Sequence, residues 1–367
     1  MKKVSVYVKG NRNAPTYYRI YQYLDKIQEC QFIYNQMYAD WVHDRFMPFS
    51  KQPLYIRIFA LIHAYFRMLF SLLLDCITRP DVLIIHRRVL VRYMPYSYKF
   101  LLNKIAKRSK IIWDFDDNIL ENKEVSYQTL NFYANVSSNI IVTHEFLKDL
   151  LPDIYKKKVF IMPTTDGDMY KDFLKNSQIN LRRLESIDKV IELVWVATSV
   201  NLPHLENIVE ELDNAASILR DEYSKELILN VVCDAPLTYE SNYLTINNIK
   251  WTHNIAIDII YRSHIGIMPL SDNNFTKGKG GFKLIQYMSA GLPCIASNVG
   301  YNSYVISSNM GRLVDKNSEW TDAILFMSDK MHWVELSKCA YGNWQSKFSF
   351  EQNLDNWVKF IQLNTER

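Results

Sequence analysis

The stretch that decides the fold is KGKGGFKLIQYMSAGLP, residues 277–293. Three of its first five residues are glycine, and the apolar run Ile265–Leu270 stands just upstream. After the glycines, Leu284, Ile285 and Met288 recur at helical spacing over Phe282–Ser289, and a second apolar run, Pro293–Ser297, follows. The order strand, glycine turn, helix, strand is the unit from which parallel sheets are built. A glycine turn at a helix N-terminus aims backbone N–H groups at the positive end of the helix dipole, where a phosphate binds. Lys277, Lys279 and Lys283 add cationic donors. Neither G-x-x-x-x-G-K-[ST] nor G-x-G-x-x-G is present, so the turn is not one of the two familiar nucleotide loops.

Outward from this stretch, short β-branched or apolar runs alternate with helical stretches. In the first half the expected strands are Val4–Val8, Gln31–Tyr34, Val82–His86, Lys110–Asp114, Asn139–Thr143 and Val159–Met162. In the second they are Glu192–Ala197, Leu227–Cys233, Asn248–Trp251, Ile265–Leu270 and Pro293–Ser297, with helices over Leu205–Tyr223 and Ala256–Ser263. Two such sets imply an α/β protein of two Rossmann-like domains. The expected divisions are a first domain over 1–165, a linker over 166–190, a second domain over 191–345 and a C-terminal helix over 346–367. That helix, Ser349–Leu363, starts at a serine cap.

The chain has 367 residues, enough for two ordinary cores, and its 48% apolar and 22% charged residues exclude disordered and fibrous classes. Its five cysteines stand singly, which excludes a disulfide scaffold and a cysteine zinc site and points to a reducing compartment. The opening apolar run is too short for a signal peptide, so a cytoplasmic protein is expected. Residues 79–110 carry nine cations against the single Asp81. Such a patch suits a phosphorylated ligand or an anionic membrane surface; no nucleic-acid recognition pattern accompanies it. Leu54–Ile77 is apolar but contains Arg57, His63, Arg67 and Asp75. It reads equally as a core helix and as an interfacial helix on the inner face of a membrane.

Ile265–Leu270, the GKGGFK loop and Leu284–Ser297 resemble the donor-site signature of family-four retaining glycosyltransferases of GT-B fold, in which two Rossmann-like domains face a cleft. Supporting patches are Tyr18–Ile20, Asp81–Arg87, Ile112–Asp117, Val194–Thr198, Gly311–Val314 and Glu319–Trp320. The resemblance implies a last helix able to cross back to the first domain. In that family two acids eight positions apart face the donor sugar and the ribose; the matching positions here are Gly278 and Gln286. By the resemblance, Lys279, Gly280, Gly281 and Lys283 hold the diphosphate and Gln286 the ribose through its amide. Thr252 and His253 border the nucleobase, and Arg19 matches the first-domain arginine at the cleft. Thr198 and Ser199 replace a Gly-Ser pair.

The acidic run Asp114-Phe-Asp-Asp117 closes an expected first-domain strand, at the edge where open α/β sheets place ligands. It is open to three readings: a metal-holding Asp-x-Asp, a haloacid-dehalogenase phosphatase motif with Asp114 as nucleophile and Asp116 as acid, or an acceptor-side cluster. In the phosphatase reading Gly167-Asp168…Asp172 supplies the second acidic motif. The favoured reading is the third, with Asp116 or Asp117 orienting or deprotonating an acceptor hydroxyl. His86, beside Arg87 and Arg88, is a candidate phosphate contact. The expectation is a metal-independent retaining hexosyltransferase without cofactor. Its donor is a nucleoside-diphosphate sugar, of UDP or GDP, and its acceptor a glycan or lipid-linked hydroxyl in bacterial surface polysaccharide assembly. A phosphatase using Asp114 and Asp116, and a nucleotide-sugar binding protein without turnover, are the alternatives.

Overall fold

The computed structural model describes residues 1–10, 14–169 and 177–362. The chain divides into two compact units, Met1–Thr164 together with Glu351–Arg367, and Thr165–Phe350. Each holds one six-stranded, all-parallel sheet.

In the first unit the strands are β1 (Lys2–Val8), β2 (Cys30–Gln36), β3 (Val82–His86), β4 (Lys110–Phe115), β5 (Asn139–Val142) and β6 (Val159–Ile161). Their spatial order is β2-β1-β3-β4-β5-β6. Helices cover both faces, so the central strands read as unbroken apolar runs; all five residues of β3, VLIIH, are buried. Register sets His86 beside Asp114 at the carboxyl ends of β3 and β4. The last helix, Phe350–Gln362, returns to this unit. Asn353 donates to the Pro163 carbonyl at 2.7 Å, Lys2 to the Ile361 carbonyl at 3.2 Å, and Trp357 is fully buried.

In the second unit the strands are β7 (Val190–Val196), β8 (Glu226–Cys233), β9 (Thr245–Lys250), β10 (Ile265–Met268), β11 (Cys294–Ser297) and β12 (Gly311–Val314). The order β12-β11-β10-β7-β8-β9 reverses direction between β7 and β10. At such a switch point two neighbouring strand ends diverge and leave a crevice for a ligand. In the first sheet the reversal lies between β1 and β3.

The strand β12 was not among those expected from periodicity. It has four residues at a sheet edge, and only Gly311 and Val314 are buried. Gly311 is required there, because a Cβ would stand 2.4 Å from the Cys294 carbonyl oxygen of β11. The helix expected over Leu205–Tyr223 is two helices, Leu202–Glu206 and Val209–Tyr223. Of the stretch expected as a linker, residues 170–176 lie outside the described residues, and Ser177–Ser186 is a helix. Its Arg183 is buried and donates to the carbonyls of Tyr261 (2.8 Å), Ala290 (2.9 Å) and Ile260 (3.3 Å), near the ends of two helices. Those are carbonyls that helix geometry leaves without an intrahelical donor. Burial lowers the Arg183 guanidinium to about 9.

Candidate functional site

Two polar clusters occupy the carboxyl edges of the two sheets, one in each unit. In the second unit, β10 leads through a short helix, Asn274–Lys277, into the glycine turn. Asn273 and Thr276 form a reciprocal cap that fixes this approach. Gly281 then turns with φ +63°, in the left-handed region, and opens the helix Phe282–Ser289. A side chain at Gly281 would be strained by that φ and would stand 3.0 Å from Val305. The expected helix bounds are the observed ones.

The switch point is bridged by a side chain. Lys279, from the turn after β10, donates to the Asn201 amide oxygen, in the segment after β7, and lies 5.1 Å from the centre of the Phe275 ring. Lys283 stands on the first turn of the helix, 3.5 Å from the Gln286 amide oxygen and 5.2 Å from the Phe282 ring centre. Burial lowers its ammonium to about 8, with Asp166 acting the other way. A diphosphate arriving at this helix N-terminus would favour the charged form of Lys283 that burial opposes.

Gln286 is buried, and its amide donates to Asp166 Oδ2 at 2.7 Å. The sequence shows no acid at this family position, yet tertiary structure places a carboxylate against it from 120 residues away. Asp166 also accepts from the backbone N–H groups of Asp168 (2.9 Å) and Met169 (3.3 Å), and burial raises its pKa. Sequence reasoning missed Asp166, and no local signal marks it. His253 lies 3.4 Å from Asp168, whose hydrogen bond raises the imidazole pKa. The Thr252 hydroxyl caps the helix His253–Arg262 by accepting from Ile255 N–H at 3.3 Å. Ser199 is tied to Asp234 through both its N–H and its hydroxyl. Lys279, Lys283, Gln286, Asp166, His253 and Asp168 all belong to the second unit.

The first-unit cluster is built differently. Arg19 is fully buried, ion-paired to Asp114, and donates to the Met162 carbonyl at 2.5 Å. Burial opposes its charge, and the Asp114 carboxylate outweighs that and holds the guanidinium above its ordinary pKa. The other Asp114 oxygen is 2.8 Å from His86 Nδ1. Arg19 therefore serves as an internal tie between the segment after β1 and the ends of β4 and β6. That corrects its expected place among donor contacts, since no part of it reaches the surface. The same burial removes Asp114 as a phosphatase nucleophile, because an attacking carboxylate must be reached by its phosphate ester. Asp172, the far end of the second phosphatase motif, lies outside the described residues. His86 is 1% exposed and bonds Asp114, so it is not an open phosphate contact.

Arg87, one residue further, is the hub of a half-buried rim. Its guanidinium meets Asp116 at 2.7 Å, Asp117 at 2.6 Å and Glu124 at 2.9 Å. Its backbone has φ +59°, a strained choice for a residue with a Cβ. The strain is held by an N–H bond to the Asp114 carbonyl (2.6 Å) and a bond from Trp113 Nε1 to its own carbonyl (3.0 Å). Asp116 and Asp117 thus come together as expected, both paired to one arginine. They differ in exposure, 13% for Asp116 and 36% for Asp117. Burial acts upward on both, but Arg87 outweighs it at Asp116, whose pKa is held well below the usual range. At Asp117 burial wins over Arg87, with Asp116 adding to it, and the pKa is raised. Among the described residues no group of three or more His, Cys, Asp or Glu side chains is placed to hold a metal ion.

The two-sheet architecture is that of the GT-B fold. A Rickettsia africae ESF-5 glycosyltransferase shares it with TM-score 0.63 at 14% identity, over 99% of each chain. Anabaena HepE, crystallised with UDP, does so with TM-score 0.61 at 11% identity, over 98% of this chain and 99% of that one. S. aureus MnaA, also solved with UDP, gives 0.54 at 13% identity, over 100% and 99%. No curated protein matches the sequence. Within this fold, residues 192–330 match the family described as Glycosyl transferases group 1, so the second unit carries a glycosyl transferases group 1 domain. The matched span includes the glycine turn, Lys279, Lys283 and Gln286.

Proposed function

We propose that the protein is a retaining glycosyltransferase that moves a sugar from a nucleoside-diphosphate sugar, of UDP or GDP, to an acceptor hydroxyl. The acceptor class is a glycan or lipid-linked sugar of a bacterial surface polysaccharide, and the place of action is the cytoplasm. The observation that carries the reading is the pair Lys279 and Lys283 around the Gly281 turn at the second sheet's switch point. Departure of a nucleoside diphosphate builds negative charge, and fixed cations with backbone donors stabilise it. Gln286 and Asp166 offer an amide and a carboxylate to ribose or sugar hydroxyls. In the first unit Asp117 accepts the hydrogen bond of the incoming hydroxyl, its raised pKa suiting it to share that proton. Family resemblance supports retention, and UDP in two solved relatives supports the choice of base.

The test is a thermal-shift screen of UDP-, GDP-, ADP- and CDP-sugars. A ligand at about 100 times its dissociation constant stabilises by about 2.7 kcal/mol, a readable shift. Lys279→Ala and Lys283→Ala should each weaken binding by about 1.5–3 kcal/mol, as for charge-assisted hydrogen bonds. Binding untouched in both variants would remove the glycine turn from the donor site. Release of nucleotide in the presence of EDTA separates a metal-independent transferase from a binding protein and from a metal-requiring enzyme. The anomeric configuration of the product, read by NMR, tests retention.

A further inference from the structure

The helix Leu54–Thr78 has 25 residues and buries only Ala60, Ala64, Met68, Leu72 and Asp75. Opposite that line stands an apolar row. Tyr55, Phe59, Ile62, Phe66, Phe70, Leu73 and Ile77 fall within about 80° of one another at 100° per residue, on the side facing away from the buried line. All seven are exposed, Phe66 by 63% and Phe70 by 62%. The row runs about 35 Å at 1.5 Å per residue, far more apolar surface than isolated exposed side chains present.

The helix does not stand free of its unit. Asp75 accepts from Ser5 and Tyr7 of β1, each at 2.7 Å, and Tyr98 donates to the Tyr65 carbonyl. By length and hydropathy it could cross a membrane, but a crossing helix cannot also lie along a sheet. Beside it, the helix Tyr96–Ala106 turns Tyr96, Phe100 and Lys104 outward at intervals of four. A groove of about 330 Å³ between Leu54–Thr78 and the segment that leads into the second helix is walled by Leu61, Ile62, Phe66, Tyr93 and Pro95.

Charge decides what covers this face. Beside this face the two helices carry Arg67, Lys99 and Lys104, with Arg57 on the opposite side of its helix, and their one acid, Asp75, is buried. The connection between them adds exposed Arg79 and Arg92 against one exposed acid, Asp81, and Lys107 and Arg108 follow, also exposed. A second copy of this chain would bring the same cations against themselves, whereas an anionic lipid surface supplies the missing charge and takes the aromatic row into its acyl boundary.

We propose that Leu54–Thr78, with the outer row of Tyr96–Ala106, seats the protein in the plane of an anionic lipid bilayer. The proposal goes beyond the transfer reaction and does not depend on it.

Flotation with vesicles of phosphatidylcholine plus phosphatidylglycerol, against phosphatidylcholine alone, tests it. The protein should float with the anionic vesicles and be released by high salt. The double variant Phe66→Ser/Phe70→Ser should lower partition on the order of 100-fold, since each loses an aromatic ring from the lipid boundary. Its thermal midpoint should stay at the wild-type value, because both rings are exposed. Arg92→Glu/Lys104→Glu should weaken binding to anionic vesicles and leave the residual binding to neutral ones unchanged. Trp41, 55% exposed and 6.2 Å from the Phe59 ring, is a built-in reporter whose emission should shift to the blue on vesicle addition, a shift absent in Trp41→Phe. No flotation by the wild type, equal flotation of the serine variant, or a concentration-dependent dimer that the serine variant abolishes would each overturn the proposal. Nucleotide affinity measured on the same variants reports on the second unit alone and keeps the two readings separable.

Discussion

The carboxyl edges of the two sheets carry opposite electrostatic designs. At the first, each arginine is answered by the chain's own acids: Arg19 by Asp114, and Arg87 by Asp116, Asp117 and Glu124. At the second, Lys279 is met by the Asn201 amide and Lys283 by the Gln286 amide. A cation already neutralised has little to offer a phosphate, while the Lys283 ammonium, lowered to about 8 by burial, would be favoured by a phosphate beside it. Electrostatics thus separates the edge proposed for the donor from an edge whose most exposed carboxylate is Asp117.

The largest test of this contrast is stability. Arg19→Met leaves Asp114 buried without its main counter-charge, and urea denaturation should show a loss of about 3–5 kcal/mol, the scale for breaking a buried ion pair. Nucleotide affinity measured below the transition should be unchanged. A well-folded Arg19→Met protein with weakened donor binding would return Arg19 to the donor site and erase the contrast.

Next in size is the split between the two aspartates. Asp117→Asn should reduce turnover by about 100-fold or more with nucleotide affinity intact, the scale of a lost general base. Asp116→Asn should act mainly on stability, because its carboxylate is the better buried of the two and is held ionised by Arg87. If both variants bound donor much more weakly, the first-unit cluster would belong to the donor site.

The smallest effect is a pH dependence. Lys283 in the free protein loses its proton as pH rises through about 8, so donor affinity should be flat below that value and fall above it, by at most about tenfold per pH unit. The sign follows from the cation being the binding form. Lys283→Arg, which stays charged, should flatten the profile in calorimetric titrations. A profile with the opposite slope would mean that the neutral amine is the binding form.

Much of the molecule was legible without coordinates. Eleven of the expected runs coincide with strands, and the glycine turn with the helix Phe282–Ser289 falls where it was read, because strand and helix periodicity and glycine placement are local signals. The twelfth strand escaped because four residues at a sheet edge have too little pattern to register. The acidic run at the end of β4 was legible as a cluster, and Asp116 and Asp117 do share one rim. Their division of labour was not legible, since it depends on how each carboxylate is buried around Arg87.

What sequence alone determined, then, was the alternation that makes two parallel sheets, the glycine turn with its lysines over residues 277–283 and the amphipathic character of Leu54–Thr78. Each is written in residues a few positions apart, where covalent geometry fixes which side chains share a face. Tertiary structure decided the pairings across long separations. Arg19 finds Asp114 across 95 residues and turns from a ligand contact into an internal tie. Gln286 finds Asp166 across 120 and regains a carboxylate at a position that had seemed to lack one. Such partners meet only because strand order brings distant carboxyl ends to one edge, and that order is set by packing of the whole sheet rather than by any segment of the chain.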